Sequence, residues 1–132
     1  MDIIRLLRAE CEDAEFFQSL GRLFTEQQLF ELAKEVFETS LELDPCDALT
    51  HVYLGNWYYR HHQLEAALEC FEYANQLMPD LPMPYWCIAD VFEKQHRFDE
   101  AKAFHRKAAA ANPKDKQARR LYRKFRERRR EL

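Results

Sequence analysis

Glycine is nearly absent from this 132-residue chain: only Gly21 and Gly55 occur. Prolines number five. So little turn chemistry points to few loops and mostly helix. No glycine-rich phosphate loop, GxSxG or HExxH is present, which removes the common sequence signatures of nucleotide, serine-hydrolase and zinc-protease chemistry. No apolar run approaches the roughly 18 residues of a membrane span. The start, MDIIRLLRAE, carries an acid at Asp2 and an apolar stretch too short for a signal peptide. The expected compartment is therefore the cytoplasm. The cysteines Cys11, Cys46, Cys70 and Cys87 show no CxxC spacing. In a reducing compartment they are expected as free thiols serving as small hydrophobes. His61 and His62 are adjacent, so their side chains diverge, and a zinc site needs about four converging ligands. No metal or other cofactor is expected. Cys87 has no signature of a partnering base, so no catalytic residue is assigned.

What is present is a period. Pro45, Pro79 and Pro113 are spaced by 34 residues. The same step links Leu20, Leu54 and Ile88, then Phe24, Tyr58 and Phe92, then Ala33, Ala67 and Ala101. Phe37 and Phe71 continue it, with Phe104 one residue short of register. Within each unit the apolar residues recur at the spacing of one helical face. The first unit, 14–47, has Phe17, Leu20, Gly21 and Phe24, then Leu32, Ala33, Val36, Phe37 and Ser40. The second covers 48–81 and the third 82–115. Gly21, Gly55 and Ala89 are expected to face Ala33, Ala67 and Ala101, letting two antiparallel helices approach closely.

The turns TEQQLF, RHHQLE and KQHRFD place Gln28, His62 and His96 at equivalent positions. A left-handed residue is expected there. Residues 2–11 form a leading apolar-rich helix, and Asp13 is a plausible N-cap for the helix after it. The leading helix can cover the first repeat or make a dimer contact. Pro82 and Pro84 stiffen the approach to the third unit and suit a helix start.

Charge is unevenly distributed. Residues 1–93 carry 18 acids and 5 bases, whereas residues 94–132 carry 5 acids and 15 bases. The last stretch, 116–132, is expected as a basic capping helix with Ala118, Leu121, Tyr122 and Phe125 on its apolar side. The basic residues expected to form its charged surface are Arg119, Arg120, Arg123, Lys124, Arg126, Arg128, Arg129 and Arg130. Three readings stand: a solvated cap complementing the helix dipole, a contact with an acidic protein or a second copy, and a nucleic-acid or anionic surface site.

Three 34-residue helix–turn–helix units with L-G-x-x-Y/F, then A-x-x-x-F, then P resemble the tetratricopeptide repeat. The second unit carries the fullest form: Leu54-Gly55-x-x-Tyr58, Ala67-x-x-x-Phe71, Ala74 and Pro79. The family tryptophan is replaced by Phe17, His51 and Tyr85. The three-repeat layout with a leading helix is also similar to class II chaperones of bacterial type III secretion. The resemblance implies an all-α, right-handed superhelical solenoid and a non-enzymatic adaptor or chaperone. It also implies a peptide held in a concave groove lined by the first helix of each repeat.

On that implication the groove-facing residues are Glu15, Gln18, Ser19, Arg22 and Glu26 in the first unit. They are Leu49, Val52, Tyr53, Asn56, Tyr59 and Arg60 in the second, and Met83, Trp86, Cys87, Asp90 and Lys94 in the third. The expected peptide site is Arg22, Leu49, Tyr53, Asn56, Tyr59, Met83, Trp86 and Asp90, with Trp86 as the principal apolar anchor. The family's carboxylate clamp needs Lys, Asn and Arg at places that here hold Gln18, Arg22, Tyr53, Met83 and Cys87. Only Arg22 could serve it. The partner expected is a protein or peptide; nucleic acid through the tail, and self-association, are the alternatives.

Overall fold

The computed structural model describes residues 2–130. It contains eight helices and no strand among those residues. They are α1 (Ile3–Glu10), α2 (Ala14–Glu26), α3 (Phe30–Leu43), α4 (Ala48–Arg60), α5 (Leu64–Leu77), α6 (Pro82–Lys94), α7 (Phe98–Ala111) and α8 (Lys116–Arg128). Helices α2 to α7 pair as α2 with α3, α4 with α5 and α6 with α7, and each pair stacks on the next. This is an all-α helical repeat solenoid. Helix α1 rests on α3 and α8 closes the other end on α6 and α7. The basic residues Arg129 and Arg130 follow α8 in a turn, and 131–132 of the expected capping helix lie outside the described residues.

The period sets local structure as well as packing. Asp13, Asp47 and Asp115 stand 34 residues or a multiple apart and each caps the helix that follows. Asp47, for example, accepts from the amides of Leu49 and Thr50. The third pair begins at Leu81 without a side-chain cap, and Pro82 fills the first helical position instead, where no amide partner is required. Gln28, His62 and His96 all take φ of 60°, the left-handed conformation expected of them. The next residue closes each turn by donating back to the helix: Leu29 to Phe24, Gln63 to Tyr58 and Arg97 to Phe92, at 2.8–2.9 Å. These are the six-to-one bonds of a Schellman turn.

Two packing details follow from the structure. A Cβ on Gly55 would lie 2.6 Å from Phe71 Cε1, and one on Gly21 would meet the Phe37 ring. The glycines thus make room for the large rings of the partner helix. The strict-register equivalent of Phe37 and Phe71 is His105, not Phe104. His105 is buried, while Phe104 is half-exposed and packs near Phe92 and Tyr85. The imidazole is smaller than a phenyl ring, and the register partner is correspondingly Ala89 in place of glycine.

Candidate peptide-binding hollow

Helices α2 and α4 run side by side with α3 behind them, and a hollow of about 360 Å³ opens between them. Its apolar wall is Phe30, Phe37, Tyr53, Trp57 and Tyr59. Arg22, Thr25, Glu26, Asn56 and Arg60 supply its polar positions. Tyr53 stacks on Phe37 with ring centroids 5.7 Å apart. The Trp57 indole N–H donates to the Phe30 carbonyl at 2.7 Å, which ties α4 to the preceding repeat and fixes the ring. His61 stacks on the same indole at 3.8 Å. The wall is therefore built of immobilised rings, which lose little freedom on binding.

The rim is cationic over aromatic faces. The Arg22 guanidinium lies 5.6 Å from the Tyr53 centroid and that of Arg60 5.1 Å from Phe30. Lys94 lies 5.7 Å from Tyr59. Burial, and then the charge of Asp90, pushes the Tyr59 phenol up from its ordinary value, so it stays a hydrogen-bond donor at neutral pH. Asp90 itself is pushed up to about 6, first by burial and then by Glu93, while Arg128 pulls the other way. Asn56 is exposed, and its carbonyl takes a weak contact from the Cys87 thiol at 3.9 Å. Its amide N–H groups are left to meet a ligand.

Of the expected site residues, Arg22, Tyr53, Asn56 and Tyr59 converge on the hollow. Leu49, Met83, Trp86 and Asp90 do not line it. Trp86 and Met83 are half-buried and pack against the cluster formed by Val52, Val91 and their neighbours. Val52 and Cys87, expected in the groove, are buried. Burial pushes the Cys87 thiol well above its ordinary range, so it is protonated and no nucleophile. Gln18 donates to Asp47 at 2.9 Å and to Thr50 at 2.8 Å, binding α2 to α4.

Trp57 was missed as a wall residue because it lies outside the L-G-x-x-Y stripe. A signal existed: it shares the 34-residue register with Leu23 and Val91, both apolar.

The basic helix is partly engaged within the molecule. Arg128 donates to both carboxylate oxygens of Glu93 at 3.0 and 3.1 Å. Arg129 Nε lies 3.5 Å from Glu93, outside hydrogen-bond alignment, with its guanidinium 3.9 Å from the Phe98 ring centroid. These two cations hold the cap down. Lys116, Arg119, Arg120, Arg123 and Arg126 line an outward hollow of about 570 Å³ with Tyr122. Among the described residues no group of three potential metal ligands comes together, and no helix is long and apolar enough to cross a membrane.

Comparison with known proteins agrees with the fold. No curated relative matches the chain by sequence. Among solved structures, the first TPR of Spaghetti (RPAP3), bound to HSP90 peptide SRMEEVD, superposes with a TM-score of 0.75 at 17% identity, covering 86% of this chain and 90% of its own. The Sgt2 TPR domain from Aspergillus fumigatus gives 0.79 at 16% identity, covering 89% and 80%. MamA gives 0.77 at 20% identity, covering 95% and 73%. At these identities the likeness is one of fold. Two family models described as tetratricopeptide repeat match residues 14–45 and 48–81, together half of the chain. The chain belongs to the tetratricopeptide repeat family.

Proposed function

We propose that the chain, read as repeats over 14–47, 48–81 and 82–115, is a non-catalytic adaptor that holds a short peptide segment across α2 and α4. The observation that carries this reading is the hollow itself: fixed aromatic rings on one wall, with Asn56 and Tyr59 able to hydrogen-bond a peptide backbone. The family is one of protein–protein interaction modules, and one structure of similar fold holds a peptide. The residues for an acidic-tail clamp are missing or engaged: the Gln18 amide is bonded to Asp47 and Thr50, and Cys87 is buried. The ligand is therefore an apolar-anchored segment, and Tyr53 and Tyr59 replace Trp86 as its main anchors.

The test is selection of binders from a random peptide library on the wild-type protein, then titration of the selected peptide. Tyr53→Ala should weaken binding by about 30-fold or more, the factor that matches the usual hot-spot threshold of about 2 kcal/mol. Trp86→Ala should change it less, with circular dichroism confirming both folds. Unchanged affinity of the Tyr53 variant would exclude the hollow as the site.

A further inference from the structure

Register equivalence exposes a second surface, at the N-terminal end of the array. Positions 16, 50, 84 and 118 are related by 34 residues, as are 23, 57, 91 and 125. In α4, α6 and α8 these positions face the preceding pair and are closed: Thr50, Pro84 and Ala118, then Trp57, Val91 and Phe125 are all buried. In α2 the same positions hold Phe16 and Leu23, which remain 41% and 50% exposed. Helix α1 rests on α3 and leaves this face uncovered. It also adds two exposed apolar side chains, Ile3 and Leu6, at the same end. An apolar face with the register of a stacking surface is a surface for stacking.

What fits it is set by charge. Exposed acids, Glu12 and Asp13, flank the start of the stripe, and over residues 2–22 five acids outnumber the three bases Arg5, Arg8 and Arg22. The opposite end of the same molecule is closed by α8. In register, α8 is the first helix of a fourth unit, yet it carries Arg123 where the other units have Gly21, Gly55 and Ala89. An arginine there prevents a second helix from approaching as closely as in the other pairs. The outward side of α8 thus stays open, with a cationic hollow whose arginine stems are apolar and whose heads are charged. One end offers Phe16 and Leu23 in a net-acidic setting, and the other offers aliphatic stems among guanidiniums.

We infer that the face of Phe16 and Leu23 docks the outward side of α8 from a second copy of this chain, head to tail. Such a contact is heterologous. It leaves a free face at each end, so it extends into chains rather than closing into a symmetric dimer. It uses neither the hollow between α2 and α4 nor the Glu93 clamp, and so stands apart from peptide binding.

The experiment is sedimentation of the full chain, alone and in defined mixtures. Wild type should exceed its monomer mass of 15.9 kDa as concentration rises at low salt. Apparent affinity should fall at least about tenfold between about 50 and 500 mM salt, as charge pairing is screened. One variant, Phe16→Ser with Leu23→Ser, removes the acceptor face; another, Arg120→Glu with Arg123→Glu, removes the donor face. Each should be monomeric alone. Mixed, each supplies the face the other lacks, and a 1:1 complex that grows no further should form. The pair Arg120→Gln with Arg123→Gln serves if charge reversal unfolds α8. A wild type that stays monomeric to about millimolar concentration, a serine variant that associates as wild type does, or a mixture that leaves two monomers would each overturn the proposal.

Discussion

At the scale of single residues, one buried and one half-buried ionisable group give the fold opposed responses to pH. His105 is 1% exposed and neither ring nitrogen has a partner. It lies against Tyr122 and Phe125 of α8, with the charges of Glu93 on α6 and Arg128 on α8 acting on it. Burial lowers its pKa to about 4 from 6.5, Arg128 lowering it further and Glu93 opposing. The unfolded chain then binds the proton more readily, so the contribution of neutral His105 is present above about 6.5 and is lost as pH falls toward 4. Asp90 behaves in the opposite sense. Its pKa is raised from 3.8 to about 6, so its penalty is absent below about 4 and grows as pH rises through 6. Asp90→Asn should therefore stabilise the protein at pH 7.5, by at most about 3 kcal/mol, and do nothing at pH 4. His105→Leu should flatten the loss of stability between pH 6.5 and 4; phenylalanine is avoided because Ala89 takes up the space its ring needs. Thermal melts across pH check both, and a His105→Leu variant with the wild-type acid slope would refute the assignment.

At the scale of the helix pair, the close approach of α4 and α5 depends on Gly55 and the Phe71 ring, which is 1% exposed. Alanine gains roughly 1 kcal/mol over glycine inside a helix. Overpacking a fixed ring costs roughly 1–3 kcal/mol. The ring has no free space to move into, so Gly55→Ala should lower the urea midpoint. Adding Phe71→Leu should recover part of that loss, a coupling that a double-mutant cycle measures. If Gly55→Ala raises the midpoint, the contact is not the constraint described. The pairing itself was legible in the sequence because a 34-residue step repeats the stripe, the Asp caps and the left-handed turn residue together. Local chemistry and long-range packing there point the same way. The wall of the hollow was less legible. Gln18, Val52 and Cys87 have first-helix positions that suggest exposure, yet contacts between pairs engage or bury them. His105 escaped notice because the adjacent Phe104 looked like the missing ring. Periodicity tells which face of a helix turns inward; it does not tell how far a neighbouring pair covers the edge of that face.

At the scale of the whole molecule, each pair touches only its neighbours, and the two ends are held differently. Helix α1 buries a single side chain, Ile4, whereas α8 buries Ala118 and Phe125 and adds the Arg128 and Arg129 contacts to Glu93. In such an array, stability is close to a sum of local terms, and opening starts where those terms are smallest. Amide exchange should therefore be fastest in α1. Loss of the cap should act locally. Phe125→Ala removes a ring that is 2% exposed, and large-to-small changes of this kind cost roughly 3–5 kcal/mol. The ring belongs to the same apolar cluster as Ile88, Phe92 and Ala101. Protection should accordingly fall in α6, α7 and α8 while α2 and α3, which pack around Phe17, Val36 and Phe37, keep theirs. Hydrogen exchange followed by mass spectrometry on peptides from each pair resolves the two ends. A uniform loss of protection from α2 to α8 would mean that the chain unfolds as one cooperative unit, and the separable array would be the wrong description.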